Sequence, residues 1–151
     1  HVKSLAEFLN KPRLHETVAT DTVFSSVKDI NGANCAQVYW GLTSHMINTY
    51  HMKKESDMPK AQDDFMRTEG IMDILRSDNA RVQRYGNEIL RRLRRLLIGV
   101  EYTEPHNPQQ NPAELRAIRW LKAAVKFLRA RTGAPALCGM RPWNISQTYT
   151  M

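Results

Sequence analysis

Three acids, Asp21, Asp78 and Glu114, stand where simple structural logic does not want a carboxylate. Asp is depleted in strands, yet Asp21 lies inside a run rich in Thr, Val and Phe from residue 17 to 26. A bulge or turn is the structural alternative there. Asp78 follows a brief apolar run and precedes a helical pattern, so helix capping explains it equally well when it is taken alone. Glu114 is more telling. At about 100° per residue, Glu114, Ile118, Leu121, Val125 and Leu128 fall on one line of a helix, with the acid at its head. The helix dipole favours a first-turn carboxylate, but one aimed at a sheet edge is penalised by desolvation unless a cation or donor meets it. Three carboxylates brought together are hard oxygen ligands of the kind that suit Mg²⁺ or Mn²⁺. Two such ions, ~3.5–4 Å apart, activate an attacking hydroxyl and stabilise the leaving oxygen of a phosphodiester.

The elements that must position these acids follow from pattern and punctuation. Residues 1–16 predict a short helix and a linker. A strand over 17–26 hairpins through the Asn31-Gly32 turn signal into a second over 35–40, and a third is predicted over 44–52. Pro59 opens a short amphipathic helix that ends near Gly70, and Ile71 to Leu75 predicts a strand that stops at the Arg76-Ser77-Asp78-Asn79 turn cluster. Val82, Tyr85, Ile89, Leu93 and Leu96 make one helical stripe that leaves Arg84, Arg91, Arg92, Arg94 and Arg95 mostly on other faces. A strand over 99–103 and a Pro- and Asn-rich loop over 105–112 come next. A long helix over 113–131 then closes at Gly133 and Pro135. Strands and helices in this order predict an α/β domain with a mixed sheet and helices on its faces. Parallel strands carrying Asp21 and Asp78 side by side, with the Glu114 helix laid across them, would bring the three acids together.

The 151 residues predict one compact domain, and 42% hydrophobic with 25% charged residues fits neither a disordered tail nor a fibrous repeat. The longest strongly apolar run, near Leu96 to Val100, falls far short of the ~20 residues a spanning helix needs, so no membrane partner is expected. Nothing directs secretion, and Cys35 and Cys138 form no CxxC pair, so a reducing compartment is the default. A first residue of His1 suggests a cut fragment or a piece of a polyprotein. The net charge of +7 is unevenly spread. Residues 81–131 hold twelve basic and four acidic side chains, whereas residues 1–80 hold nine and eleven. Clustered Arg and Lys favour a polyanion such as nucleic acid through counterion release, and a solvated helix face is the plainer alternative.

Together the residues resemble a retroelement integrase catalytic core. The likeness covers about residues 17–131: Thr20-Asp21-Thr22-x-Phe24, then Ser77-Asp78-Asn79, then Glu104-Pro105-His106 leading through Gln-Asn-Pro-Ala to Glu114, with 35 residues between the second and third acids. The block from 104 to 114 looks most like integrase regions of copia-like retrotransposon polyproteins.

This resemblance implies a ribonuclease H-like fold, a five-stranded sheet with three antiparallel strands followed by two parallel ones. The catalytic core would span 17–133, between an N-terminal linker at 1–16 and a C-terminal segment at 134–151 that holds a truncated last helix. The likeness also implies that Asp21, Asp78 and Glu114 hold Mg²⁺ or Mn²⁺ for 3′-end processing and strand transfer on DNA. Gln109, Gln110, Asn111, Arg116, Arg119, Lys122 and Lys126 would grip that DNA, and the chain would form a homodimer or higher oligomer. In a eukaryotic host the substrate would be nuclear DNA.

The family's zinc-binding His and Cys set does not precede Asp21, so no zinc is expected in this chain, and the C-terminal DNA-binding module is not expected within these 151 residues. His45 and His51 are expected as strand residues. Trp120 and Trp143 are expected in core or rim packing. The alternatives are a catalytically inactive DNA-binding relic of a mobile element and another nuclease of the same fold.

Overall fold

The chain is described from a computed structural model, which covers residues 3–103 and 113–133. Its elements run β1 (Thr17–Phe24), β2 (Cys35–Gly41), β3 (Ile47–Met52), α1 (Met58–Thr68), β4 (Ile74–Asp78), α2 (Asn79–Arg95), β5 (Gly99–Thr103), a π-helical segment Ala113–Ile118, and α3 (Arg119–Thr132). One five-stranded sheet has the order β3-β2-β1-β4-β5. β1, β2 and β3 pair antiparallel, and β4 and β5 join the β1 side in parallel. That is the mixed sheet expected from sequence. No helix among the described residues is long and apolar enough to cross a membrane.

Strand alternation divides the residues between two unlike faces. Val18, Tyr39 and Leu75 point to one face, where they pack with Phe65 and Met66 of α1 and with Ile89, Leu93 and Leu96 of α2. Tyr39 stacks on Phe65 at 4.5 Å between ring centroids. Burial of this set is the main source of stability, at about 1.5–3 kcal/mol for each large apolar side chain. The same face carries a buried polar trio, in which Thr22 Oγ1 donates to Gln37 Oε1 at 2.7 Å and Gln37 Nε2 donates to Thr20 Oγ1. Thr20 Oγ1 in turn donates to the Val38 carbonyl at 3.0 Å. The opposite face is partly covered by a small cluster of Val38, Ala117 and Ile118, flanked by Val23, Trp40, Ile47 and Leu121.

Several boundaries differ from expectation. The strand expected over 71–75 lies at Ile74–Asp78. Ile71 and Met72 are fully buried but belong to the core below the strand, because the parallel register with β1 begins only at the Thr17–Ile74 pair. An apolar run alone does not separate strand from core coil. The third strand starts at Ile47 rather than 44 because the chain turns first: the His45 amide donates to the Gly41 carbonyl at 2.9 Å. His45 therefore sits in a turn with φ +57° rather than in a strand, and the Glu16 carboxylate accepts from the Thr43 and Ser44 amides beside it. Asn31 and Gly32 do not close a two-residue hairpin. They sit in a longer loop in which the Ser25 amide donates to the Asn34 carbonyl at 2.8 Å.

Residues 12–14 are stitched to the body. The Leu14 amide donates to the Ile71 carbonyl and the Ile71 amide to the Pro12 carbonyl, each at 2.8 Å. Gly70 makes this possible: its φ is +121°, and a Cβ there would stand 2.7 Å from the Pro12 oxygen. Arg13 reaches across to the end of α2, donating to the Leu96 and Leu97 carbonyls at 3.1 Å and pairing with Asp73 at 3.0 Å. That end is a Schellman turn. The Ile98 amide donates to the Leu93 carbonyl and the Leu97 amide to the Arg94 carbonyl, with Leu97 in the left-handed position at φ +54°.

Candidate functional site

The β1–β4 register relates the first two acids. The paired residues are Thr17–Ile74, Val18–Leu75 and Ala19–Arg76. The pairing ends there, two residues before each acid, so Asp21 and Asp78 stand at the same offset beyond the last pair of two adjacent parallel strands. Asp21 also pairs with Val38 across β2, and Asp78, the last residue of β4, pairs with Thr103 of β5. Both acids therefore face away from α1 and α2, on the side of Val38. Asp78 ends the strand instead of following it as a turn residue. Asp21 needs no bulge: β1 runs through it unbroken, and its Oδ1 accepts the Thr22 amide at 2.8 Å. It is 8% exposed, so its carboxylate is buried and its charge requires compensation.

The third acid comes to this face by backbone. Glu114 lies in the π-helical segment, whose Ala117 and Ile118 pack on Val38, the partner of Asp21. The helix expected over 113–131 thus begins as a π turn, and α3 proper starts at Arg119. A count of 100° per residue does not hold through a π turn. The expected single line from Glu114 through Ile118 to Leu128 is broken for that reason. Beyond the turn, α3 buries no residue at all, and Leu121, Val125 and Leu128 are only half covered.

The Glu114 side chain lies outside what the structure describes, as do Gln109, Gln110, Asn111, Cys138 and Trp143. Among the described residues, no group of three metal-ligating side chains occurs. The acids that are described are hard donors on neighbouring parallel strands, Asp78 at the carboxyl end of β4 and Asp21 within β1. Asp21 is buried and Asp78 half-buried. Arg116, Arg119, Lys122 and Lys126 are all exposed on the segment that follows Glu114. Trp120 is exposed by 42%, a rim position rather than a core one.

Two side-chain contacts on this face carry no signature in the sequence. Arg76, two residues before Asp78, pairs with Glu101 on β5 at 2.7 Å. Both are half-exposed, so the contact stabilises by at most about 1 kcal/mol. Their cross-strand partnership is hidden because residues 76–79 have the composition of a turn. Farther along, His51 Nδ1 lies 3.1 Å from Asp29 Oδ2, and that carboxylate is fully buried. This contact ties the β1–β2 loop to β3. Burial pushes the His51 imidazole below its ordinary value, and Asp29 only partly opposes that shift. Burial also pushes the Cys35 thiol up, helped by Glu55 and Asp57.

No family model matches the sequence, and no curated protein matches it. Solved structures do match. The HTLV-2 integrase catalytic core domain in complex with magnesium, in its trimeric form, superposes with a TM-score of 0.61 over 83% of this chain and 80% of that one, at 14% identity. The fold is that of a retroviral integrase catalytic core. The dimeric form of the same domain gives 0.58 over 81% and 77%, at 13% identity. A chain of the simian T-cell lymphotropic virus intasome in complex with PP2A regulatory subunit B56 gamma gives 0.65 at 16% identity. It is covered over 43% of its length by 80% of this chain, so this chain spans under half of the intasome protein. At these identities the integrase-like fold is what is shared.

Proposed function

We propose that this chain is the catalytic core of a retroelement integrase, a metal-dependent polynucleotidyl transferase acting on DNA. The observation that carries the reading is the β1–β4 register, whose last pair lies two residues before each of Asp21 and Asp78, on strands whose Val38 side is where the Glu114 segment packs. Asp21, Asp78 and Glu114 would hold two Mg²⁺ or Mn²⁺ ions. The solved neighbours with magnesium support that choice of cofactor. Ions so held activate an attacking hydroxyl and stabilise the leaving oxygen.

The net reaction adds the oxygen of water, or of a DNA 3′ hydroxyl, to a backbone phosphorus. It breaks the bond from that phosphorus to its 3′ oxygen, which leaves as a hydroxyl once protonated. The chain's own part is placement. The Thr22 amide fixes the Asp21 carboxylate, β4 fixes Asp78, and the exposed Arg116, Arg119, Lys122 and Lys126 neutralise phosphates. Gln109, Gln110 and Asn111 belong to the same DNA-gripping set in this reading. The core spans 17–133, with 1–16 and 134–151 as flanking segments, and works as a homodimer or higher oligomer. The block from 104 to 114 favours a copia-like element.

Mn²⁺ is expected to raise the melting temperature of the wild type and not of Asp21→Asn, because a ligand stabilises only the state that binds it. Glu114→Gln is expected to remove DNA nicking in Mn²⁺. Equal shifts in both proteins, or retained nicking, would reject the reading, and a wild type with neither shift nor nicking would be the inactive relic.

A further inference from the structure

We infer that the outward face of α2 is a second nucleic-acid contact surface, which binds the phosphodiester backbone on the opposite side of the sheet from the acids. Ile89, Leu93 and Leu96 are the buried stripe of this helix. At about 100° per residue, Arg91, Arg94 and Arg95 centre directly opposite that stripe, and all three are exposed. Because α2 packs on the Val18–Leu75 face, these guanidinium groups point away from Asp21 and Asp78. They cannot hold the same stretch of nucleic acid that the acids would cut, and the inference stands without the metal site.

The neighbouring arginines show what distinguishes these three. Arg13 is paired with Asp73, Arg76 with Glu101 and Arg92 with Asp63. No ion pair relieves Arg91, Arg94 or Arg95 among the described residues, and the one acid nearby on the helix, Glu88, bonds to none of them. Arg91 stands three and four residues before Arg94 and Arg95, spacings at which like charges destabilise a helix. The helix dipole recovers part of this for residues in the last turn, but Arg91 stands a turn earlier. The cluster is therefore poorly explained by folding. It is also rigidly mounted, since the Schellman turn at Leu97 and the Arg13 guanidinium lock the end of the helix. A fixed row of forks with a rise of about 6 Å from Arg91 to Arg95 suits successive phosphates on a strand.

The test uses the full chain in EDTA, so that the readout does not pass through the metal site, and titrates fluorescent duplex DNA at several salt concentrations. R91Q/R94Q/R95Q is expected to weaken binding and to make log K against log salt shallower by about 2–3, at roughly 0.9 for each phosphate that is no longer neutralised. Its melting temperature is expected to match or exceed the wild type. Should the triple variant fail to fold, R95Q alone is read, with an expected change of about 0.9. Single-stranded RNA of equal length forms a second arm. Weaker binding of both polymers supports recognition of backbone charge, and weaker binding of one assigns the source. An unchanged slope on both overturns the inference, as does a loss of polyglutamate binding with nucleic-acid binding intact.

Discussion

The two faces of the sheet differ in what fills them. On one, aromatic and aliphatic side chains from β1, β2, β4, α1 and α2 interlock, and the buried polar side chains of Thr20, Thr22 and Gln37 are bonded to each other and to the backbone. On the other, a cluster of three buried apolar residues shares the surface with Asp21, Asp78, the Arg76–Glu101 pair and the buried Asp29–His51 pair. The same β-strands serve both, because alternate residues belong to alternate faces. The lesson is a division of labour within β1: Val18, Thr20 and Thr22 turn to the packed face, and Asp21 turns to the other, between Ala19 and Val23.

The helices repeat the contrast. α2 is basic and anchored through the buried Ile89 and Leu93, with Leu96 just past its end, whereas α3 is basic and buries no residue.

The sharpest way to break this comparison is Asp78→Asn. Nicking in Mn²⁺ is expected to fall more than about a hundredfold, since even the groups that orient a metal ligand are worth about 10- to 100-fold, while the thermal midpoint stays near that of the wild type. A large loss of stability would show that the charged face is structural after all. Leu93→Ala makes the converse test on the packed face. Urea denaturation should show a loss of about 2–5 kcal/mol, and nicking should decline only with the folded fraction.

Leu97→Gly sharpens the picture of how α2 is anchored. Leu97 holds a left-handed backbone that costs a non-glycine residue roughly 1 kcal/mol, and it is exposed, so its side chain adds little packing. A gain of about that size is expected in the urea midpoint. The smallest effect concerns pH. His51 is held below its ordinary 6.5 by burial, so the unfolded chain binds the proton more readily than the folded one. Its contribution to stability is complete above pH 6.5 and is lost as the pH falls towards the folded value. Urea midpoints at pH 7.5 and 5.5 should differ, and His51→Gln should flatten that part of the difference.

The order of elements along the chain, the first three antiparallel strands and β5 at 99–103 were legible because turn signals and apolar periodicity are local, and the parallel pair followed from the resemblance. The end of β4 was not. Ile71 and Met72 are as apolar as any strand pair, and only tertiary pairing with β1 moves the strand to Ile74–Asp78. The π turn was equally hidden, since 118, 121, 125 and 128 keep a helical spacing in sequence whether or not the turn before them widens. Of the acids, the types, the spacing and the neighbouring strands of Asp21 and Asp78 were readable, and the register between those strands was not, because register is a property of two strands. Arg13 illustrates the remainder: its partners lie 60 and 83 residues away, beyond any pattern within the chain's first segment.

The pairing of β1 with β4 also sets which changes in chain length this architecture tolerates. Deleting one residue from either strand would rotate its acid through the sheet into the hydrocarbon side, and deleting two would slide it by about 6.6 Å without turning it. Insertions are confined for that reason to the connections, and the long interval of sequence between the first two acids is free to vary so long as both strands keep their phase.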